Sequence, residues 1–425
     1  MEPTPGTTGL DRTLAALRDP YRFIGRAVDR HGSPVVATRL LLAPAVCVTG
    51  AAAAAEFQDD THFTRHRAVP RRVVATLFGR GGVQGLDGAE HRHRKAMFTG
   101  LMSADRVAEL AALVDAELLR AARSWPVGEP VVLYDAFRAV LTRAVCAWAG
   151  VPLPTVDAER RTRELTALFD GAGAVGPRHW RARLARRAAD RWAADVIRRI
   201  RAGRITPPED SAAHAVAWHR SLDGALLAPH TAAVELLNVL RPTVAVAVYL
   251  AFAAHALHHH PRCARAIGDE AAADAPGGGY AELFAQEVRR HYPFFPAVAA
   301  RARHDLLFQG HPVRRGRRVL LDLYGINHAA ERWGDPEEFR PERFADAQWD
   351  PYGFVPQGAG DPATGHRCPG EPITVALIAA VARRLVGLRY EVPEQDDTVD
   401  MARLPALPRS GCVIRPLGPP PEQAP

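Results

Sequence analysis

At 425 residues, 47% of them hydrophobic, the chain can bury a large core, and its length alone would also allow two or three domains. Its formal net charge is +7, with a pI of about 9.5, but 47 acidic residues are interleaved with 54 basic ones. That pattern excludes a like-charge binding tail and leaves a solvated surface with a mild preference for anions. Cys47, Cys146, Cys263, Cys368 and Cys412 are odd in number and lack CxxC spacing, which excludes a disulfide framework and a zinc site.

The N-terminal residues show no basic stretch followed by an apolar one, so no signal peptide is expected. The longest apolar run, from Leu40 to Ala55, is interrupted by Pro44, Thr49 and Gly50 and falls short of a membrane span. The expectation is a soluble, cytoplasmic protein. Residues 38–48 are rich in valine and leucine and read as β structure, and an alanine run after Gly50 reads as helix. Ser103 and Asp105 open a helix over 103–124 whose apolar residues recur at three- and four-residue spacing. An arginine-studded helix with Trp180 and Trp192 covers 178–202. The longest apolar helix runs over 229–260 and ends at Pro261. Further helices are expected over 280–291 and 370–388, with short strands near 313–321 and 387–392. The Pro419-Pro420-Pro421 cluster marks 416–425 as a disordered tail. The sum is a mainly α protein with a small β-rich region, a single domain over 1–415.

The chemistry-bearing segment runs from Phe354 to Gly370: a glycine-rich loop through Gly358, Gly360 and Gly365, then His366-Arg367-Cys368-Pro369-Gly370 before an apolar helix. Glycines let backbone approach a flat ligand closely. A thiolate just before a helix N-terminus is favoured by the free N–H groups there and suits haem iron. Read alone, Cys368 could equally be a buried small hydrophobe. Upstream, Glu287 and Arg290 stand three residues apart on one helix face, an ordinary surface pair taken by itself. Phe339-Arg340-Pro341-Glu342-Arg343-Phe344 adds a third charge. In this order, ExxR, PERF and a glycine-rich loop ending in Cys-Pro-Gly, the chain resembles the cytochromes P-450 over essentially its whole length.

That resemblance implies the helical haem-thiolate fold, haem b on Cys368, and a structural triad of Glu287, Arg290 and Arg343. It also implies haem-propionate partners at His366 and, four residues apart on the Glu90–Lys95 segment, at His91 and Lys95. Lys95 is the one lysine in the chain. Arg65 is a further propionate candidate. An exposed basic helix remains the alternative reading of the 90–95 patch.

The long apolar helix departs from most cytochromes P-450, which carry an acid and a threonine where this chain has Arg241-Pro242. A proline inside a helix costs ~3 kcal/mol, and an arginine among apolar residues is costly unless paired. Arg-Pro at this place, Val83 to Gly88, Gly173 to Trp180 and Leu321 to His328 resemble the bacterial fatty-acid peroxygenases. The implied function is hydroxylation of a long-chain fatty acid at the α and/or β carbon, with hydrogen peroxide as co-substrate and some alkene formed. The substrate carboxylate pairs with Arg241 and serves as general acid–base. Arg241, Pro242 and Gln84 are the catalytic candidates, and Phe78 and Phe294 the pocket walls. Glutamine at 84, where decarboxylating relatives tend to carry histidine, suggests that hydroxylation dominates. No redox partner protein and no membrane span are expected.

Alternatives stay open. Arg241 could be satisfied by a protein carboxylate such as Glu235. The protein could be a reductase-dependent monooxygenase, a non-catalytic haem-binding fatty-acid sensor, or an enzyme rearranging lipid hydroperoxides. His258-His259-His260 reads as a solvated helix end rather than a metal site. The glycines at 79, 81, 82 and 85 lack the flanking features of a phosphate loop. The His91–Lys95 patch lacks the interleaved aromatics of a nucleic-acid site, and no nucleic-acid partner is expected.

Overall fold

The structure, a computed structural model, describes residues 6–272, 279–345 and 350–420. Helices dominate, and a six-stranded sheet lies to one side. Its strand order is Gly6–Asp11, Val35–Leu40, Ala43–Val48, Arg318–Asp322, Ala297–Ala302 and Phe63–Thr64. Most of the expected helices are present, at Ala104–Arg123, Pro177–Arg201, Tyr280–His291 and Glu371–Gly387. Ser103 caps the first of these by accepting a hydrogen bond from the Arg106 N–H at 3.4 Å.

Two stretches differ from expectation. The β-like residues 38–48 belong to a hairpin in which Val35–Leu40 pairs antiparallel with Ala43–Val48. The turn is Leu41-Leu42, both at positive φ (52° and 60°). Such a turn normally carries Asn or Gly, so the leucines gave no turn signal. The long apolar helix is two helices, Pro229–Ala245 and Ala247–His259. Pro242 lacks an N–H, and one turn on the Val246 N–H reaches back only to the Thr243 carbonyl, at 3.1 Å. Together these helices pass a test of length and composition for crossing a membrane. With 94% of the apolar window buried inside the fold, they form its central core element.

The C-terminal stretch also holds more order than its composition suggests. Val413–Pro416 is a strand between Tyr390–Glu391 and Val131–Val132, and the Leu417 N–H donates to the Arg389 carbonyl at 2.9 Å. The rest of the expected tail, 421–425, lies outside the described residues.

Candidate active site

Cys368 sits three residues before Glu371, which opens the Glu371–Gly387 helix. Its backbone N–H donates to the Gln357 carbonyl at 3.2 Å, and the Gln357 Nε2 lies 3.7 Å from its Sγ. The amide of Gln357 is oriented from its other end, since Arg289 Nε donates to Oε1 at 3.1 Å. A donor therefore faces the sulfur. Beneath the loop, Glu371 accepts from both Arg289 and Arg367, the latter at 2.6 and 3.0 Å. Burial raises the Cys368 thiol's pKa, with Glu371 adding to it, while the Gly370 N–H, Lys95 and Arg289 act the other way.

The structure brings Glu287, Arg290 and Arg343 together. Arg290 donates to Glu287 through Nε at 2.7 Å and Nη2 at 2.8 Å, and Arg343 Nε donates to Oε1 at 3.2 Å. The Arg340 backbone N–H also donates to Oε1, at 2.9 Å. Arg290 further donates to the Asn327 carbonyl, and Asn327 Oδ1 accepts from the Val355 N–H. The triad thereby holds the start of the cysteine loop.

His91, Lys95, His366 and Arg65 converge on the other edge of that loop. The His91 and His366 rings stack at 3.9 Å, and Lys95 donates to the carbonyls of Gly365 and Arg367. Burial is the largest cause of a lowered pKa in all four: His91 falls to about 4, His366 to about 2, Lys95 to about 8 and Arg65 to about 10. Neighbouring cations push both histidines further down. Among the described residues no carboxylate pairs with Lys95, His91 or His366, and the buried His366 Nε2 has no partner. Two buried cations, Lys95 and Arg65, beside two imidazoles and with no carboxylate in side-chain contact are costly unless an anion arrives. The carboxylates of haem propionates meet that need, and a haem so placed would have Cys368 as its sulfur ligand.

Opposite Cys368, Arg241 is buried on the helix Pro229–Ala245, with its guanidinium carbon 5.6 Å from the Phe78 ring centre. Its Nη2 donates to Asn238 Oδ1 at 3.2 Å, and its Nε has no partner. Burial pulls its pKa down to about 9 and the nearby Arg186 adds to this, while Cys368 opposes it. Glu235 does not pair with Arg241: it accepts from Arg94 Nη1 at 2.9 Å and from Asn238 Nδ2 at 3.0 Å. Among the described residues Arg241 has no carboxylate partner.

Asn238 Nδ2 also donates to Gln84 Oε1 at 3.3 Å. The carboxylate of Glu235 accepts hydrogen bonds, so it turns the Asn238 amide nitrogen toward itself and the oxygen toward Arg241. Because Gln84 offers its oxygen to Asn238, its own amide nitrogen is left for other partners. Phe294 stacks on Tyr249 at 4.4 Å and meets Phe295 edge-on, contacts that belong to the aromatic core. Asn238, Arg94 and Arg186 were not among the residues expected from the sequence. The three-residue spacing of Glu235, Asn238 and Arg241 on an apolar helix is the signal that would have found Asn238.

Arg186 donates to Asp190 at 2.8 Å and to the Leu77 carbonyl at 3.3 Å, beside Gly79. At Gly79, with φ +83°, an added Cβ would meet the Arg186 guanidinium at 2.1 Å, so only glycine fits there.

A cysteine held at the mouth of a helix, the Glu-Arg-Arg triad behind it and a cation group beside it define a haem-thiolate protein. The family model for Cytochrome P450 matches residues 279–410, which hold the triad and the cysteine. "Putative cytochrome P450 137" of Mycobacterium tuberculosis is 26% identical over 80% of this chain and 74% of its own length. Solved structures are more similar. Cytochrome P450SP alpha (CYP152B1), whose structures include a complex with (R)-ibuprophen, is 53% identical, with a TM-score of 0.92 over 96% of this chain and 98% of that one. Cytochrome P450EX alpha (CYP152N1) with myristic acid is 39% identical, covering 98% and 99%, also at 0.92. OleT in complex with arachidonic acid is 33% identical, covering 97% and 98%, at 0.92. The chain belongs to the cytochrome P450 family. Within it, the chain is one of the CYP152 fatty-acid peroxygenases, oxidoreductases that use haem b and hydrogen peroxide.

Proposed function

We propose that this enzyme hydroxylates a long-chain fatty acid at the α and/or β carbon and that Arg241 anchors the substrate carboxylate. The observation that carries the assignment is a buried guanidinium within electrostatic reach of Cys368, with an unpartnered Nε and no protein carboxylate in contact. A guanidinium binds carboxylate through two parallel N–H donors. Cys368 would hold the haem, with His91, Lys95, His366 and Arg65 as partners for its propionates, and the group would supply the activation of peroxide and the oxidising power for C–H attack.

The remaining steps belong to the side chains. Arg241 keeps the acid ionised and fixes the first carbons of the chain. The anchored carboxylate is the general base and then the general acid that carries a proton from one peroxide oxygen to the other. Pro242 stands where an ordinary P450 has a proton-delivering residue, and it has no side-chain proton to offer. Gln84, tied through Asn238, presents its amide as a polar neighbour of the reacting carbons. Phe78 forms an apolar wall under the guanidinium. A single catalytic domain over 1–415, a cytoplasmic location and no redox partner protein belong to the same reading.

The test mixes the purified haem protein with myristic or palmitic acid and hydrogen peroxide, without reductase or pyridine nucleotide, and identifies products by mass spectrometry. Hydroxy acid is expected from the wild type. Arg241→Ala should lower kcat/KM by about 30-fold or more, since losing a buried charged pair costs about 2 kcal/mol or above. A normal haem-thiolate spectrum without product would overturn the reading in favour of a reductase-fed monooxygenase or a lipid sensor.

A further inference from the structure

The helix Pro177–Arg201 has two faces with different occupants. Its inner face buries Ala182, Arg186 and Ala189, and through Arg186 it reaches the Leu77 carbonyl beside Phe78. The outer face carries Trp180, 66% exposed, and Leu184, 62% exposed, one turn apart, with Val175 at 58% in the preceding loop. A large aromatic and an aliphatic residue displayed together on one helix face are costly in water unless something covers them.

Charge says what covers them. The balance of the whole chain conceals a stretch, 171–189, without one aspartate or glutamate, in which Arg178, Arg181, Arg183, Arg186 and Arg187 fall. Arg186 points inward, whereas Arg181 and Arg187 are exposed and, by helical spacing, lie to either side of the Trp180–Leu184 stripe. An apolar stripe with an indole at its centre and guanidiniums along both sides matches the boundary between headgroups and acyl chains of an anionic bilayer. There the ring and the leucine sink below the arginines, which stay among the phosphates.

We infer that the outer face of residues 175–187 docks the enzyme on an anionic lipid surface. The inference stands on this face alone. The fatty-acid reading adds only a use for it, because the docked helix is the same one that packs over Phe78. The contact is peripheral: among the described residues the helix long and apolar enough to cross a bilayer is the buried central one.

The experiment is flotation of the purified holoprotein with vesicles of phosphatidylglycerol or of phosphatidylcholine, at low and at 0.5 M salt (roughly a sevenfold shorter screening length than at 0.01 M). Binding is expected on phosphatidylglycerol, weakened by salt, and little on phosphatidylcholine. Trp180→Ser and the double variant Arg181→Ser/Arg187→Ser should each weaken vesicle binding by about tenfold or more. The haem-thiolate spectrum and the Tm should be unchanged in both, which excludes misfolding. Absence of binding by the wild type overturns the inference. So does unchanged binding in Trp180→Ser, which would make the patch a general polyanion surface. A wild-type dimer in sedimentation equilibrium that Trp180→Ser dissociates would assign the face to a second copy instead. Failure of the fatty-acid reading would leave the vesicle result untouched, so the two are separable.

Discussion

Asn238 joins three partners through one amide, and its orientation is decided two contacts away. Glu235, paired with Arg94, accepts from its nitrogen, and so its oxygen faces Arg241. With the amide reversed, its nitrogen would confront the guanidinium donor to donor. Glu235→Gln removes the group that enforces the orientation, because a glutamine can meet Asn238 with either end of its own amide. The expected outcome is a rise of about tenfold in the Kd of palmitate, read by calorimetric titration, the size of one weakened charged hydrogen bond. In an Arg241→Ala background the same change should have little further effect, because residues acting through one another are not additive. Full additivity would mean that Glu235 supports the fold and nothing more.

Among the elements, the short helix Leu323–Asn327 illustrates how burial couples stability to pH. Asp322 caps it by accepting from the Gly325 N–H at 2.9 Å, yet the side chain is fully buried and its Oδ2 has no partner. Burial raises the carboxyl from 3.8 to about 7, with only the Gly325 hydrogen bond opposing. The folded protein therefore binds this proton more tightly than the unfolded chain does. Its contribution is fully present below pH 4 and is lost as pH rises through 7. Asp322→Asn keeps an acceptor for Gly325 and cannot titrate. Denaturant unfolding should show wild type losing stability relative to this variant between pH 4 and 7, and parallel curves would disprove the assignment. The central helix shows a second element-scale effect. Its apolar pattern is continuous from 229 to 260, and the backbone still breaks at Val246, one turn after Pro242, where the Val246 N–H bonds the Thr243 carbonyl instead of the one four residues back.

At the scale of the molecule, the Glu287 carboxylate ties three segments far apart in the chain. It binds Arg290 on its own helix, Arg343 and the Arg340 N–H downstream, and through Arg290 the Asn327 that holds Val355. All three charges are buried, so removing one leaves the others uncompensated. Glu287→Ala should destabilise the fold by about 3–5 kcal/mol. Loss of haem from the expressed protein and a lowered Tm would register it together. A variant that retains haem at the wild-type Tm would show that the cysteine loop is held by Glu371 and its two arginines instead.

Local chemistry was legible without any structure: the cysteine loop, the ExxR and PERF charges, the anomaly of Arg241-Pro242 and most helices. Each is a short-range pattern, and the motif order supplied the long-range pairing of the triad. Periodicity could not show that residues 38–48 turn back at Leu41-Leu42, because two leucines at positive φ carry no turn signature. Nor could it settle the partner of Glu235, since a carboxylate on a buried helix can reach either its own helix or a neighbour. Only packing brought Arg94 to it from the helix Gly88–Thr99, and so left Arg241 without a protein carboxylate. The sequence by itself determined which charged groups the core contains. Tertiary structure decided which of them are neutralised inside the protein and which await a ligand, because burial and distance set the cost of an unpaired charge.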